Sequence, residues 1–390
     1  MLLQLCPPLQ KAFFKKTRMK SVTILCFWNL KLHDKLYHMK QSAEDLREKH
    51  TKIVATIGSS SDSEEVLEQM IRFGLNIARI NMSHGDHEEH HRQIKTIRKA
   101  AKKLGYHVEI LVDLGGSKVR VGQMEKGTML EEGKLVTLTT KECMGNTSCI
   151  PVSYLQLPKK VKAGQDILIS DGKRKLRVLS TNGTDEIKCR ILVGGLVTSK
   201  RGLNFPGTKL HLPVITDKDK EDLKFGIEHK AKYIAFSFVR EPQDVLDLRN
   251  LLNKYNYSAL TISKMETKEA MSNLKEIIKA SDGIMVARGD LAMEIGMHHV
   301  PVAQKRLLEA AKSFGKFSIV ATQVLDSMEN NPIPTRAEVS DIATAVFEGA
   351  DAIMLSAESA SGKYPAESVQ TISRVVKACE ESEYMKPALC

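Results

Sequence analysis

The sequence predicts an α/β protein: a (β/α)8 TIM barrel with a β-rich lid domain inserted after its third strand. Three observations carry that expectation. Eight short apolar runs recur between residues 51 and 359, most of them separated by amphipathic helical segments. The interval 117–215 breaks this rhythm with short alternating strands and Gly, Asn and Asp turns. Hydrophobic residues make up 42% of the 390 and aromatics only 5%, which suits one large, mainly aliphatic core plus an insert.

Residues 1–46 read as an N-terminal extension, either disordered or produced by a start placed too far upstream. On the second reading Met39 opens the native chain and residues 39–50 form a polar lead-in helix. Residues 1–38 hold seven Lys/Arg against one acid, Asp34. They lack the uninterrupted apolar span of a membrane helix and the charge order of a secretory leader. Of the net charge of +11, this stretch carries more than half. Elsewhere bases and acids interleave, as on a solvated face. That pattern gives no support to nucleic-acid or membrane binding. A positively biased pocket for phosphorylated ligands fits it better. The seven cysteines are scattered and form no C-x-x-C, so neither a disulfide framework nor a zinc site is indicated, and a cytoplasmic setting is expected.

The first part of the barrel is assigned to residues 47–116. Its strands are TKIVATIG (51–58), LNIARINMSH (75–84) and HVEILVDLGG (107–116). The helix between the first two starts at a Ser cap and stops at Gly74; the next ends at Gly105. The lid is assigned to residues 117–212. The rest of the barrel, 213–390, holds AKYIAFSFV (231–239), ALTISKME (259–266), DGIMVARGD (282–290), KFSIVATQ (316–323) and DAIMLSAES (351–359), and it ends in a long amphipathic helix.

In barrels of this class the active site lies at the C-terminal strand ends. Strand two ends in Arg79, Asn81, Ser83 and His84, whose first three members alternate and should share a face. Strand three ends in Asp113, followed by Lys118 and Arg120. Strand five presents Lys264 and Glu266 side by side, and strand six is expected to close in Arg288, Gly289 and Asp290. Strands seven and eight add Thr322, Gln323, Ser356 and Glu358. Cations beside carboxylates at neighbouring strand ends suit a phosphoryl group and a divalent metal together. Phosphoryl transfer needs mainly positioning and charge stabilisation, which such a set supplies. A helix starting at Gly289–Leu291 would add free amides for a substrate carboxylate. His84, His87, His90 and His91 look like a metal cluster, but DHEEHH opens a helix and reads better as an exposed polar turn.

ARINMSHG, VDLGGSKVRVG, RGLNFPGTKLHLP, ISKMET, SDGIMVARGDLAMEI, VATQVLDSM, PTRAEVSDIATAV and GADAIMLSAES resemble, in order, the signature segments of the pyruvate kinase family over roughly residues 51–383. The resemblance implies phosphoryl transfer from phosphoenolpyruvate to ADP, giving pyruvate and ATP, in the cytoplasm as the last step of glycolysis. It implies that Lys264 stabilises the transferring phosphoryl group and that Arg79 touches it. Glu266 and Asp290 then hold Mg2+ or Mn2+. Gly289 and Asp290 hold the substrate carboxylate, and Thr322 stands near the enolate carbon. Arg120, Arg201, His84 and Asn81 fall on the nucleotide side. Asn81, Ser83, Asp113 and Leu114 match a monovalent-cation pocket.

Two departures matter most. Leu114 and Lys118 stand where K+-dependent members usually carry Thr and Glu. The pairing resembles the K+-independent branch, in which the lysine ammonium replaces the ion, so K+ is expected not to be required. The C-terminal α/β regulatory domain of typical members is expected to be absent, which would leave the barrel helices as the surface for a homo-oligomer. The rival reading is a truncated, catalytically impaired barrel that only binds phosphorylated ligands or partners.

Overall fold

The computed structural model describes residues 45–170, 172–210 and 212–385. Three strands come first: β1 (Lys52–Thr56), β2 (Leu75–Asn81) and β3 (Glu109–Leu114). Eight follow in the insert: β4 (Met129–Leu130), β5 (Leu135–Thr139), β6 (Cys149–Pro151), β7 (Asp166–Ile169), β8 (Arg174–Thr181), β9 (Glu186–Val193), β10 (Gly195–Leu196) and β11 (Leu203–Asn204). The last five are β12 (Tyr233–Phe236), β13 (Leu260–Met265), β14 (Gly283–Ala287), β15 (Phe317–Ala321) and β16 (Ala352–Leu355).

The first three and last five strands close into a parallel ring in the order β1-β16-β15-β14-β13-β12-β3-β2. Each is nearly continuous in apolar residues because each is covered on both faces. Val54, Ile77, Leu111, Ile262, Met285 and Ile319 fill the inside of the ring. A larger aliphatic layer lies between the ring and its helices, with Ile53, Leu67, Met70, Ile97 and Leu307 among its members. Ring closure is what matters for function: it turns eight separate chain segments into one circular mouth.

The insert has its own core, built from Val136, Leu138, Ile150, Ile167, Leu176 and Ile187. Its main sheet has six strands in the order β11-β7-β8-β9-β5-β6, and β10 pairs with β4 separately. β9 buries every second residue through most of its length, as a strand with one solvated face does. The two connections to the barrel run side by side, with Arg120 bridged to Gly202.

Several expectations need correction. The first half of the lead-in helix, 39–44, lies outside the described residues, and of the rest only Asp45–Arg47 is helical, as a single 3-10 turn. β2 stops at Asn81, so Ser83 lies in the following turn and does not continue the alternation. β14 stops at Ala287, and Arg288–Ile295 is a helix. Asp290 therefore sits in a helical first turn and does not close a strand. His90 is not exposed: it is 5% accessible, packed beside Phe225 and hydrogen-bonded to Gln93. His87 stacks on Phe225 and reaches Asp222 at 2.8 Å, so His87 and His90 serve helix packing.

Candidate active site

Strand register builds the barrel side of the mouth. Thr56 at the end of β1 pairs with Arg79 on β2, and Asn81 two residues on pairs with Asp113 on β3. Arg79 joins the three strands. Its Nε donates to Asp113 Oδ2 at 2.8 Å, its Nη1 donates to Thr56 Oγ1 at 2.8 Å, and its Nη2 stands 2.7 Å from the same Asp113 oxygen. A guanidinium has five N–H donors, so these two hydrogen bonds and the Nη2 ion-pair contact leave at least one donor on each terminal nitrogen for an anion.

Lys264 on β13 occupies the centre. Its Nζ donates to Ser237 Oγ at 2.7 Å and lies 3.1 Å from Glu266 Oε1 and 3.3 Å from Asp113 Oδ1. Asp113 Oδ1 is buried and forms no hydrogen bond of good geometry, so Lys264 meets it chiefly as a charge. Burial works against the Lys264 ammonium, but Asp113 and Glu266 outweigh it and hold its pKa above the ordinary lysine value. Glu266 is 2% exposed, and its Oε2 accepts the Phe238 amide at 2.8 Å. Burial, with Asp290 and Asp113 adding to it, pushes the Glu266 carboxyl upward against the pull of Lys264.

Asp290 faces the lid connections. Lys118 Nζ bonds its Oδ1 at 2.6 Å, and Asn204 Nδ2 reaches the same oxygen at 3.3 Å. Burial would raise the Asp290 carboxyl, but Lys118 overrides it and holds the group below the ordinary range. The Lys118 stem passes over Gly202, where a Cβ would stand 2.5 Å from Lys118 Cε. Glycine at 202 is what lets this lysine reach into the mouth.

The turn after β15 supplies the last wall. Thr322 and Gln323 hold φ of 69° and 53°, a region non-glycine residues rarely enter. Arg288 fixes that turn: it donates to the carbonyls of Thr322 at 2.7 Å and Gln323 at 3.1 Å and is itself held by Asp341 at 2.7 Å. Thr322 Oγ1 accepts the Gly289 amide at 2.8 Å, so that amide is engaged within the protein. The Asp290 amide lies in a first helical turn, which offers it no intrahelical acceptor.

Cations dominate the lid side. Arg120 donates to the Lys200 carbonyl at 3.2 Å, and Arg201 donates to Thr198 Oγ1 at 2.9 Å. Desolvation, then Arg120, Arg79 and Arg201 in turn, hold the His84 imidazole below its ordinary range, so these four groups share one electrostatic neighbourhood. Asn81 Oδ1 accepts the Ser83 amide at 3.2 Å, and the Leu114 carbonyl accepts Ser237 Oγ at 3.0 Å. The ammonium of Lys118 thus pairs with Asp290 rather than with the side chains of Asn81, Ser83 or Asp113. Glu358 accepts the amides of Leu325 and Ser356 and serves as a buried loop anchor.

Glu266 and Asp290 are the carboxylates that can hold a divalent cation. Among the described residues no three His, Cys, Asp or Glu side chains converge as a metal cluster. Mg2+ does not need one, since it is held by one or two carboxylates and completes its shell with water and substrate phosphates. The neighbouring Asn204 Oδ1 is a buried amide oxygen without a partner. An all-oxygen set of this kind fits a hard cation.

Sequence reasoning missed Thr56, Ser237 and Asn204. The first two obey the same strand-end rule that found Arg79 and Lys264, applied to β1 and β12. Asn204 ends the two-residue lid strand β11, outside the barrel, so the barrel strand-end rule did not reach it.

Fold and mouth together define a lid-bearing (β/α)8 barrel with a cationic, carboxylate-containing site. The description "Pyruvate kinase, barrel domain" matches residues 48–369. The chain belongs to the pyruvate kinase family. It is 48% identical to the pyruvate kinase of Thermotoga maritima over 332 residues, 85% of this chain and 71% of that one. It is 46% identical to that of Staphylococcus haemolyticus over 342 residues, covering 87% of this chain but only 58% of the relative's length. A crystal structure of a pyruvate kinase from Cryptosporidium parvum superposes with a TM-score of 0.81 at 40% identity, over 86% of this chain and 70% of that one.

Proposed function

We propose that this chain transfers the phosphoryl group of phosphoenolpyruvate to ADP, giving pyruvate and ATP, with a divalent cation and without a K+ requirement. The observation that supports this best is the buried array Thr56–Arg79–Asp113–Lys264–Glu266, which fixes two cations at the centre of the mouth. Charge spreads over the oxygens of a phosphoryl group in transfer, and prepositioned cations stabilise it without reorganising. Lys264 takes that role, and the two remaining donors of Arg79 orient the group. Mg2+ or Mn2+, held by Glu266 and Asp290, would neutralise phosphate charge. Thr322, with its oxygen already fixed by the Gly289 amide, stands where an enolate takes up its proton through water. Arg120, Arg201 and His84 face the nucleotide phosphates, with Asn81 beside them.

The K+ reading rests on Lys118, whose side chain is 16% exposed and whose ammonium adds a permanent positive charge beside Asp290. Asn81, Ser83, Asp113 and Leu114 would form the monovalent pocket; Lys118, paired with Asp290, would supply the missing positive charge from beside it and not from within it. No described helix is long and apolar enough to cross a membrane.

A coupled assay of ADP-dependent pyruvate release, run with and without K+, tests both parts. Equal rates in the two buffers are expected. A tenfold or larger loss without K+ would overturn the second part, and no turnover in either buffer would favour the binding-only barrel.

A further inference from the structure

The lid brings together two cysteines that lie far from the mouth chemistry described above. Cys143 follows β5 and Cys149 opens β6, and their Sγ atoms stand 4.0 Å apart. The loop between them is fixed from several sides. Asn146 Oδ1 accepts the amides of Ser148 at 3.0 Å and Cys149 at 3.1 Å, and the Ser148 hydroxyl at 2.8 Å. The Asn146 amide returns a bond to the Cys149 carbonyl at 2.7 Å. Gly145 donates to the Gln123 carbonyl and accepts the Glu125 amide, both at 2.8 Å. A Cβ at 145 would stand 2.6 Å from Pro151 Cδ, so the loop lies flat against its neighbours. A disulfide brings sulfurs to about 2.05 Å. Forming that bond from 4.0 Å calls for the two sulfurs to approach one another by about 2 Å.

We propose that Cys143 and Cys149 form a reversible dithiol–disulfide site on the lid, oxidised by low-molecular-weight disulfides. The two thiols divide the work. Cys143 is exposed and attacks first. Cys149 is partly covered, and burial together with the Cys143 sulfur pushes its thiol up to about 11, so it serves as the resolving partner. In the first step the Cys143 thiolate, its proton released to water, bonds one sulfur of the small disulfide. The other sulfur leaves as a thiolate and is protonated. In the second step Cys149 loses its proton and attacks Cys143 Sγ, expelling the second small thiol. The two cysteines lose two electrons in all, and one small disulfide is reduced to two thiols. Once Cys143 is in the mixed disulfide it carries no charge, so its share of the shift on Cys149 disappears. The other described cysteines, Cys189 and Cys379, are buried, and burial raises both thiols.

The test uses the full chain and oxidised glutathione, followed by alkylation and peptide mass mapping. The expected product is a 143–149 peptide lighter by two hydrogens, unreactive to the alkylator until dithiothreitol is added. Cys149→Ser should stop at a glutathione adduct on Cys143, and Cys143→Ser should leave Cys149 alkylatable. A wild-type chain that retains glutathione on Cys143 with Cys149 still alkylatable overturns the proposal. So does one in which both thiols stay alkylatable after the same exposure.

Discussion

The two sides of the mouth are held in different ways. On the barrel side, Arg79, Asp113, Lys264 and Glu266 are locked by mutual ion pairs, and the two carboxylates are almost wholly buried. On the lid side, Arg120 and Arg201 each reach a single neutral oxygen among the described residues, which leaves most of their donors unspent there. The difference follows from what each scaffold supplies. Eight converging strands surround a charge with partners, whereas the connections to the lid present Arg120 and Arg201 from segments outside its named strands. A group locked before substrate arrives can stabilise a transition state without rearranging. A loosely held arginine can adjust to a ligand and contributes mainly to binding.

Breaking the barrel side should have the largest effect. Lys264→Met is expected to lower kcat by at least about 10²–10³, the scale of losing a preorganised charge-stabilising donor. Circular dichroism should show the variant folded; near-normal turnover would remove Lys264 from the proposed role.

A half-buried carboxyl on the barrel side gives the next effect. Glu294 lines a cavity of about 420 Å3 under the lid connections. Burial, Glu269 and Asp290 push its carboxyl up to about 7. The folded state therefore keeps this proton to higher pH than the unfolded chain does. Stability from the group is complete below about pH 4.5 and is lost as pH rises to about 7. Glu294→Gln stays neutral throughout, so its advantage over wild type should grow across that window and level off near about 3 kcal/mol. Parallel Tm-against-pH curves for the two proteins would contradict the assignment.

Lys118 sharpens the comparison, because it belongs to the lid connection yet is tied like a barrel residue. Lys118→Leu is expected to lose about tenfold in K+-free buffer, or about 1.4 kcal/mol, and to regain most of it with K+. Equal loss in both buffers would mean that the lysine serves Asp290 alone. The smallest effect should come from Arg120→Ala. One solvent-screened ion pair to an exposed phosphate is worth up to about 1 kcal/mol, so the KM for ADP should rise up to about fivefold with kcat nearly unchanged. A fall in kcat with no change in KM would place Arg120 in the chemical step.

Most of the mouth was legible because a strand end is a one-dimensional feature: an apolar run that stops in charge. Arg79, Asp113, Lys264 and Glu266 were all found that way. Asp290 was found too, although it belongs to the helix that β14 runs into. What stayed hidden were relations across long sequence separations. Nothing local says that Asn204 meets Asp290 or that Lys118 prefers Asp290 to Asp113. The histidine group misled for the same reason, since Phe225, which covers His90, lies far along the chain.

The sequence by itself determined the eight strand runs, the interruption that becomes the lid, and the residue types at the strand ends. Periodicity and turn chemistry are local, and each short segment carries them without help. Only the tertiary structure decided which charges touch. Ring closure and strand register set distances between residues as remote in sequence as Lys118 and Asp290, 172 positions apart, and a single register step separates an ion pair from two unrelated side chains.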